Sequence, residues 1–91
     1  MKYKIRLTSP FKKNLKLLEK RKYDLDLLND VVMMLARGEI LPARYKDHAL
    51  KGKLLGCREC HITPDWLLIY EIHNNTLILY LSRTGTHSDL F

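Results

Sequence analysis

The chain has 91 residues, a formal net charge of +6, four histidines and two cysteines. At that length roughly 60–65% of the unfolded surface is buried on folding, enough for one modest core without metal or disulfide staples. No apolar run approaches the roughly 18–20 residues of a membrane span, and Leu7 is soon followed by Ser9, Pro10 and lysines, which leaves no signal-peptide core. Two cysteines without an export signal predict a reduced, cytoplasmic chain. The charge is unevenly placed. Residues 1–23 hold nine of the 16 basic side chains and one of the ten acids, while the remainder is slightly acidic. Such asymmetry points to a polyanionic partner, a nucleic acid or an acidic protein; its bland counterpart is a solvated basic helix.

Taken in order, Lys2 to Thr8 alternates Tyr3, Ile5 and Leu7 with Lys4 and Arg6, the pattern of a half-buried strand. Ser9-Pro10 reads as an N-cap followed by proline at the first helical position, opening a helix to about Lys22. Phe11, Leu15 and Leu18 form its apolar stripe, with Lys12, Lys13, Lys16 and Lys20 opposite. Asp24 caps a second helix, Leu25 to Arg37, which Gly38 ends. The short link predicts an antiparallel helical hairpin. Glu39 to Leu55 shows no period and is read as a loop carrying His48 and several cations. Three strands follow, Cys57–Ile62, Trp66–Ile72 and Thr76–Ser82, with turns at Thr63-Pro64-Asp65 and His73-Asn74-Asn75. The expected fold is therefore one α+β domain over residues 1–91. A twisted, mostly antiparallel four-stranded sheet would carry the N-terminal hairpin on one face.

Cys57 and Cys60 make a CxxC, but on a strand three residues span about 10 Å, beyond the roughly 7 Å limit for a disulfide. His61 shares a face with Cys57 about 13 Å away, too far for one zinc ion. Buried, inert thiols and no metal are expected. His73 is expected to be a solvated turn residue. His61, Asp65, Arg83 and His87 fall at one end of the sheet, and the His48 loop is long enough to fold back across it. That set suits RNA cleavage. A base must take the 2′-hydroxyl proton, an acid must protonate the leaving 5′-oxygen, and a cation must meet the phosphate's developing charge. Imidazoles serve as base and acid near neutral pH, and a guanidinium fork holds two phosphate oxygens.

Tyr45-Lys46-Asp47-His48, Arg58-Glu59-Cys60-His61-Ile62, Pro64-Asp65-Trp66-Leu67-Leu68-Ile69-Tyr70 and Arg83-Thr84-Gly85-Thr86-His87-Ser88-Asp89-Leu90-Phe91 together resemble the YafQ branch of the RelE/ParE toxin superfamily. The resemblance covers nearly the whole chain. It implies the toxin of a type II toxin–antitoxin pair, a ribosome-dependent endoribonuclease that cuts mRNA in the A site without cofactor or metal. The implied partners are a small acidic antitoxin of the RelB/DinJ kind, the 70S ribosome and mRNA, with operator DNA a further candidate for the toxin–antitoxin complex. It maps catalytic groups onto His48, His61, Asp65 and His87, the phosphate-binding arginine onto Arg83 and a substrate-contacting aromatic onto Phe91. In that frame His87 is the expected acid, His48 or His61 the base, and Asp65 an orienting group. Lys46, Lys51 and Lys53 join the substrate-binding set, and Lys12, Lys13 and Lys16 would grip ribosomal RNA. Two other readings compete: a ParE-like toxin acting on a topoisomerase, and a non-catalytic RNA-binding module.

Overall fold

The computed structural model describes residues 1–91. β1 (Lys4–Leu7) leads into α1 (Ser9–Lys20). The cap of α1 is Thr8, one residue before the expected Ser9. Its hydroxyl accepts from the Phe11 N–H at 3.2 Å and donates to the Ser82 carbonyl at 2.8 Å, so the same group starts the helix and ties it to the sheet. α1 stops two residues short of Lys22, which takes φ 60° while the Tyr23 N–H returns to the Leu18 carbonyl. α2 (Leu25–Ala36) starts at Asp24, whose carboxylate accepts from the Asp26 N–H at 3.1 Å. It ends at Gly38, where φ is 78° and the Gly38 and Glu39 N–H groups return to Leu35 and Met34.

The sheet has five strands rather than four. Besides β1 it contains β2 (His48–Ala49), β3 (Arg58–Thr63), β4 (Trp66–His73) and β5 (Ile78–Gly85), in the order β1-β5-β4-β3-β2. β1 runs parallel to β5, and every other pair is antiparallel. The extra strand is a piece of the expected loop, with His48 opposite Glu59 and Ala49 opposite Arg58. The rest of that loop makes 3₁₀ turns at Ala43–Tyr45 and Gly52–Leu54. β5 begins later than expected because Leu77 ends the preceding turn with φ 54°. It also continues through Gly85.

The helical hairpin covers one face, as its apolar stripes predict. Phe11 and Leu18 of α1 and Leu28, Val31 and Leu35 of α2 pack with Cys60, Trp66, Leu68, Tyr70, Leu79 and Leu81. Burying each such Leu or Phe contributes about 1.5–3 kcal/mol. Leu7, expected to point inward, is 41% exposed at the end of the edge strand. Leu67 and Ile69 are 2% exposed yet lie outside this core cluster, on the opposite face of β4. That second face is the one that carries the polar groups.

A single irregularity decides what faces outward on β5. Ile69 pairs with Arg83 but Tyr70 pairs with Leu81, so Ser82 is an extra residue in the strand. Strict alternation from Leu79 and Leu81 would turn residue 83 toward the helices. The bulge resets the phase. Arg83 is exposed on the second face and Thr84 is 1% exposed on the core side. There the Thr84 hydroxyl accepts from Trp66 Nε1 and donates to the Leu67 carbonyl, each at 2.9 Å, while its N–H donates to Asn14 Oδ1 at 3.1 Å.

Candidate active site

Opposed residues on paired strands share a face. The registers therefore align His48, Glu59, Ile69 and Arg83 in one row across β2, β3, β4 and β5, with His61, Leu67 and Gly85 in the next. At one end of this face the Glu59 carboxylate, 8% exposed, lies between two imidazoles. Its Oε1 is 3.5 Å from His48 Nε2 and 3.8 Å from His61 Nε2. The two rings stand 6.5 Å apart at 38°. His48 Nδ1 is 2.8 Å from the Lys46 carbonyl and His61 Nδ1 is 3.3 Å from the Pro64 carbonyl. A carbonyl only accepts, so each Nδ1 carries its hydrogen and Nε2 is the atom each ring offers to Glu59 or to a substrate.

A groove of about 730 Å³ continues along the same face, bounded by Lys53, Leu54, Ile69, Arg83, Leu90 and Phe91. Its floor is apolar and its cations stand at the rim. Arg83 makes no ion pair with any carboxylate, so its guanidinium fork is free. Arg83 also borders a smaller hollow with Lys13 and Asn14, which joins the groove to the basic face of α1. Lys12, Lys13 and Lys16 are exposed there, as are Lys46 and Lys51 on the loop.

The tail after β5 is ordered as α3 (His87–Leu90). Thr86 caps it by accepting from the Asp89 N–H, and Asp89 returns the favour to the Thr86 N–H at 2.9 Å. Arg21 donates to Asp89 Oδ2 at 2.8 Å, tying α3 to the end of α1. At Gly85 an added Cβ would lie 3.0 Å from Asp89 Oδ2, so the strand passes close under the helix. The effect of these ties is to hold the exposed His87 ring 5.0 Å from Phe91, at 35°.

The Arg21 guanidinium and the Thr86 N–H hold the Asp89 carboxyl down to about 2, from 3.8. A depressed carboxyl stabilises the fold at pH values above its unfolded value and loses that contribution as pH falls toward its folded one. α3 is thus expected to stay docked from neutral pH to about 4 and to loosen between about 4 and 2. Carboxyl titration by carbon NMR checks this: Arg21→Ala should move Asp89 back toward the ordinary carboxylate range.

The structure thus brings His48 and His61 together on Glu59, and Arg83 together with Lys53 and Phe91. His87 is paired with Phe91 rather than with the other two histidines. Asp65 is exposed in the β3–β4 turn and forms no hydrogen bond or ion pair. Glu59 is the site group absent from the expected set. Its signal was visible in the period of two, since it sits two residues before His61 on the same strand face. Cys60 is fully buried, and burial pushes its thiol up to about 12. Cys57, expected to be buried, is only half-buried and borders the groove. Burial raises its thiol as well.

A profile described as "Bacterial toxin of type II toxin-antitoxin system, YafQ" matches residues 3–91. This chain belongs to the YafQ toxin family. An mRNA interferase toxin YafQ from Escherichia coli K12 is 40% identical over 88 residues, 96% of this chain and 94% of that protein. Among solved structures, a metal-bound toxin from Helicobacter pylori superposes with a TM-score of 0.92 at 47% identity, covering 98% of this chain and 99% of that one. YafQ in the E. coli DinJ–YafQ complex superposes with a TM-score of 0.89 at 39% identity, covering 98% of each chain. The YafQ fold thus extends over the whole of the sheet face described above.

Proposed function

We propose that this YafQ-family chain is an mRNA endoribonuclease that cuts on the ribosome by attack of a 2′-hydroxyl on the adjacent phosphorus, with imidazoles moving the protons. The observation that carries the reading is the convergence of His48 and His61 Nε2 on one buried carboxylate, beside an unpaired arginine and an aromatic-walled groove. His48 or His61 takes the 2′-proton, and Glu59 steadies the imidazolium that forms. Arg83 holds two nonbridging oxygens and meets the charge that grows on them. His87 gives its proton to the departing 5′-oxygen, and Phe91 stacks on a neighbouring base. Asp65, exposed in the β3–β4 turn, orients substrate. The products are a 2′,3′-cyclic phosphate and a 5′-hydroxyl. The metal of the H. pylori relative is that protein's own; the steps here are proton transfers and charge contacts that use none.

Lys53 at the groove and Lys46 and Lys51 elsewhere on the loop bind the message, and Lys12, Lys13 and Lys16 bind ribosomal RNA phosphates without reading bases. Reversing the charge of those three α1 lysines together is expected to weaken ribosome binding and flatten its dependence on salt. Sedimentation with 70S ribosomes across a salt series checks it; unchanged binding would make that helix face merely solvated. The partner is a small acidic antitoxin, supported by the DinJ complex of the E. coli relative, and the working place is the cytoplasm, where ribosomes are. No helix of the chain is long and apolar enough to cross a membrane.

The test is to express the chain alone and with the gene beside its own, then map mRNA ends in a translating extract. Cuts within codons on ribosomes, suppressed by a copurifying acidic neighbour, support the reading. DNA damage would support action on a topoisomerase instead. Neither effect would leave an RNA-binding module.

A further inference from the structure

Asp47 is not among the groups assigned to cleavage, yet it is the most fully bonded side chain of the His48 loop. Its Oδ1 accepts from the Tyr70 hydroxyl at 2.5 Å. Arg58 donates Nε to Oδ1 at 3.4 Å and an Nη to Oδ2 at 3.2 Å. Tyr70 is 1% exposed in the core and Arg58 is its cross-strand partner, so the clamp belongs to the helix side of the sheet. Burial and the bond to Asp47 push the Tyr70 phenol up, and the same carboxylate raises Arg58. Both donors therefore keep their hydrogens at neutral pH.

His48 is the next residue, and alternation along the strand sends it to the other face, against Glu59. β2 has only two paired residues, which specify register weakly. A slip of one position would turn His48 toward the helices and bring a neighbour opposite Glu59. Lys46, on the other side of Asp47, has φ 50°, a conformation that a non-glycine residue keeps only when its surroundings hold it. The Lys46 carbonyl is also what orients the His48 ring through Nδ1. Turn, clamp and imidazole are one mechanical unit.

We propose that Asp47, through Tyr70 and Arg58, is a positioning residue that sets the register of β2 and so holds the His48 imidazole against Glu59. Its link to cleavage rests on the function proposed above; its structural part stands alone. Two readouts on the full chain test it: ring resonances of the histidines by nitrogen NMR in the free protein, and mRNA cleavage on saturating ribosomes. Tyr70→Phe removes one hydroxyl from the clamp, and Asp47→Ala removes the whole of it. Both are expected to shift the His48 resonances while leaving those of His73, which packs on Tyr80 at the far end of β4, in place. Saturating rates should fall about tenfold or more, with the half-saturating ribosome concentration within about twofold, as for a reacting group displaced by a fraction of an ångström. Asp47→Asn still offers an oxygen to Tyr70 and should fall between wild type and Asp47→Ala. Unchanged His48 resonances and rates in a folded Tyr70→Phe overturn the proposal, and so does a shift common to all four histidines, which marks general loosening. If wild type leaves mRNA uncut, the cleavage reading fails while the NMR comparison still decides the positioning role.

Discussion

His87→Ala is expected to slow cleavage of ribosome-bound mRNA by about 10²–10⁴-fold, the usual contribution of a positioned general acid. The site favours a clean reading of that loss. His87 is the exposed first residue of α3, and the helix is held by the Thr86–Asp89 box and by Arg21, not by the imidazole. A surface substitution of this kind changes stability by less than about 0.5 kcal/mol. Ribosome affinity should be preserved while the saturated rate falls. Single-turnover cleavage on programmed ribosomes measures it, and an undiminished rate would remove His87 from the acid's role.

The second large effect is at Arg83. Arg83→Ala is expected to cost about 10²–10³-fold in the saturated rate, comparable to removing one donor aimed at a developing oxyanion. Arg83→Lys keeps the charge but loses the fork, so it should recover only part of the rate. Neither change should unfold the domain. Arg83 is exposed and unpaired, while the strand around it is fixed by the neighbouring Thr84 through Trp66, Leu67 and Asn14. Equal rates for Ala and wild type would mean that the phosphate is held elsewhere, with Lys53 at the groove rim the next group to vary.

The sequence was most readable where local chemistry decides the outcome. Asp24 and Gly38 mark the ends of α2, and the Phe11–Leu18 stripe places α1 on the sheet. The apolar runs of β4 and β5 predict central strands, which they are, with β5 between β4 and β1. What was not readable depends on contacts distant in sequence. β2 is two residues long and exists because His48–Ala49 lies along β3, with Asp47 fastened to Tyr70 and Arg58. The bulge at Ser82 breaks the period that would assign Arg83 a face, and no residue type announces it. α3 is an intermediate case. Thr86 and Asp89 are spaced as a capping box, but four helical residues are too few for an apolar period to form.

The same division runs through the site. His48, His61, Arg83, His87 and Phe91 were all legible as candidates, because imidazole, guanidinium and aromatic groups have few bland uses when gathered in one small basic chain. Their grouping was not. The three histidines were expected to converge, whereas His48 and His61 share Glu59 and His87 packs with Phe91. The base and the acid of the proposed reaction therefore belong to separate groupings, His48 and His61 on Glu59 and His87 on Phe91. Glu59 shares the His61 strand face in the sequence pattern but stood outside the expected site, because a carboxylate in an alternating strand normally reads as solvent-facing; here it is buried beneath two imidazoles.

Proton-transfer cleavage by the chain's own side chains leaves its signature in the chemistry of the cut ends. Purified protein is mixed with ribosomes programmed with a defined mRNA, in the presence of a chelator selective for zinc and copper over magnesium. Cleavage within the A-site codon is expected, leaving a 2′,3′-cyclic phosphate upstream and a 5′-hydroxyl downstream. A 3′-hydroxyl with a 5′-phosphate, or cleavage abolished by the chelator, would contradict it.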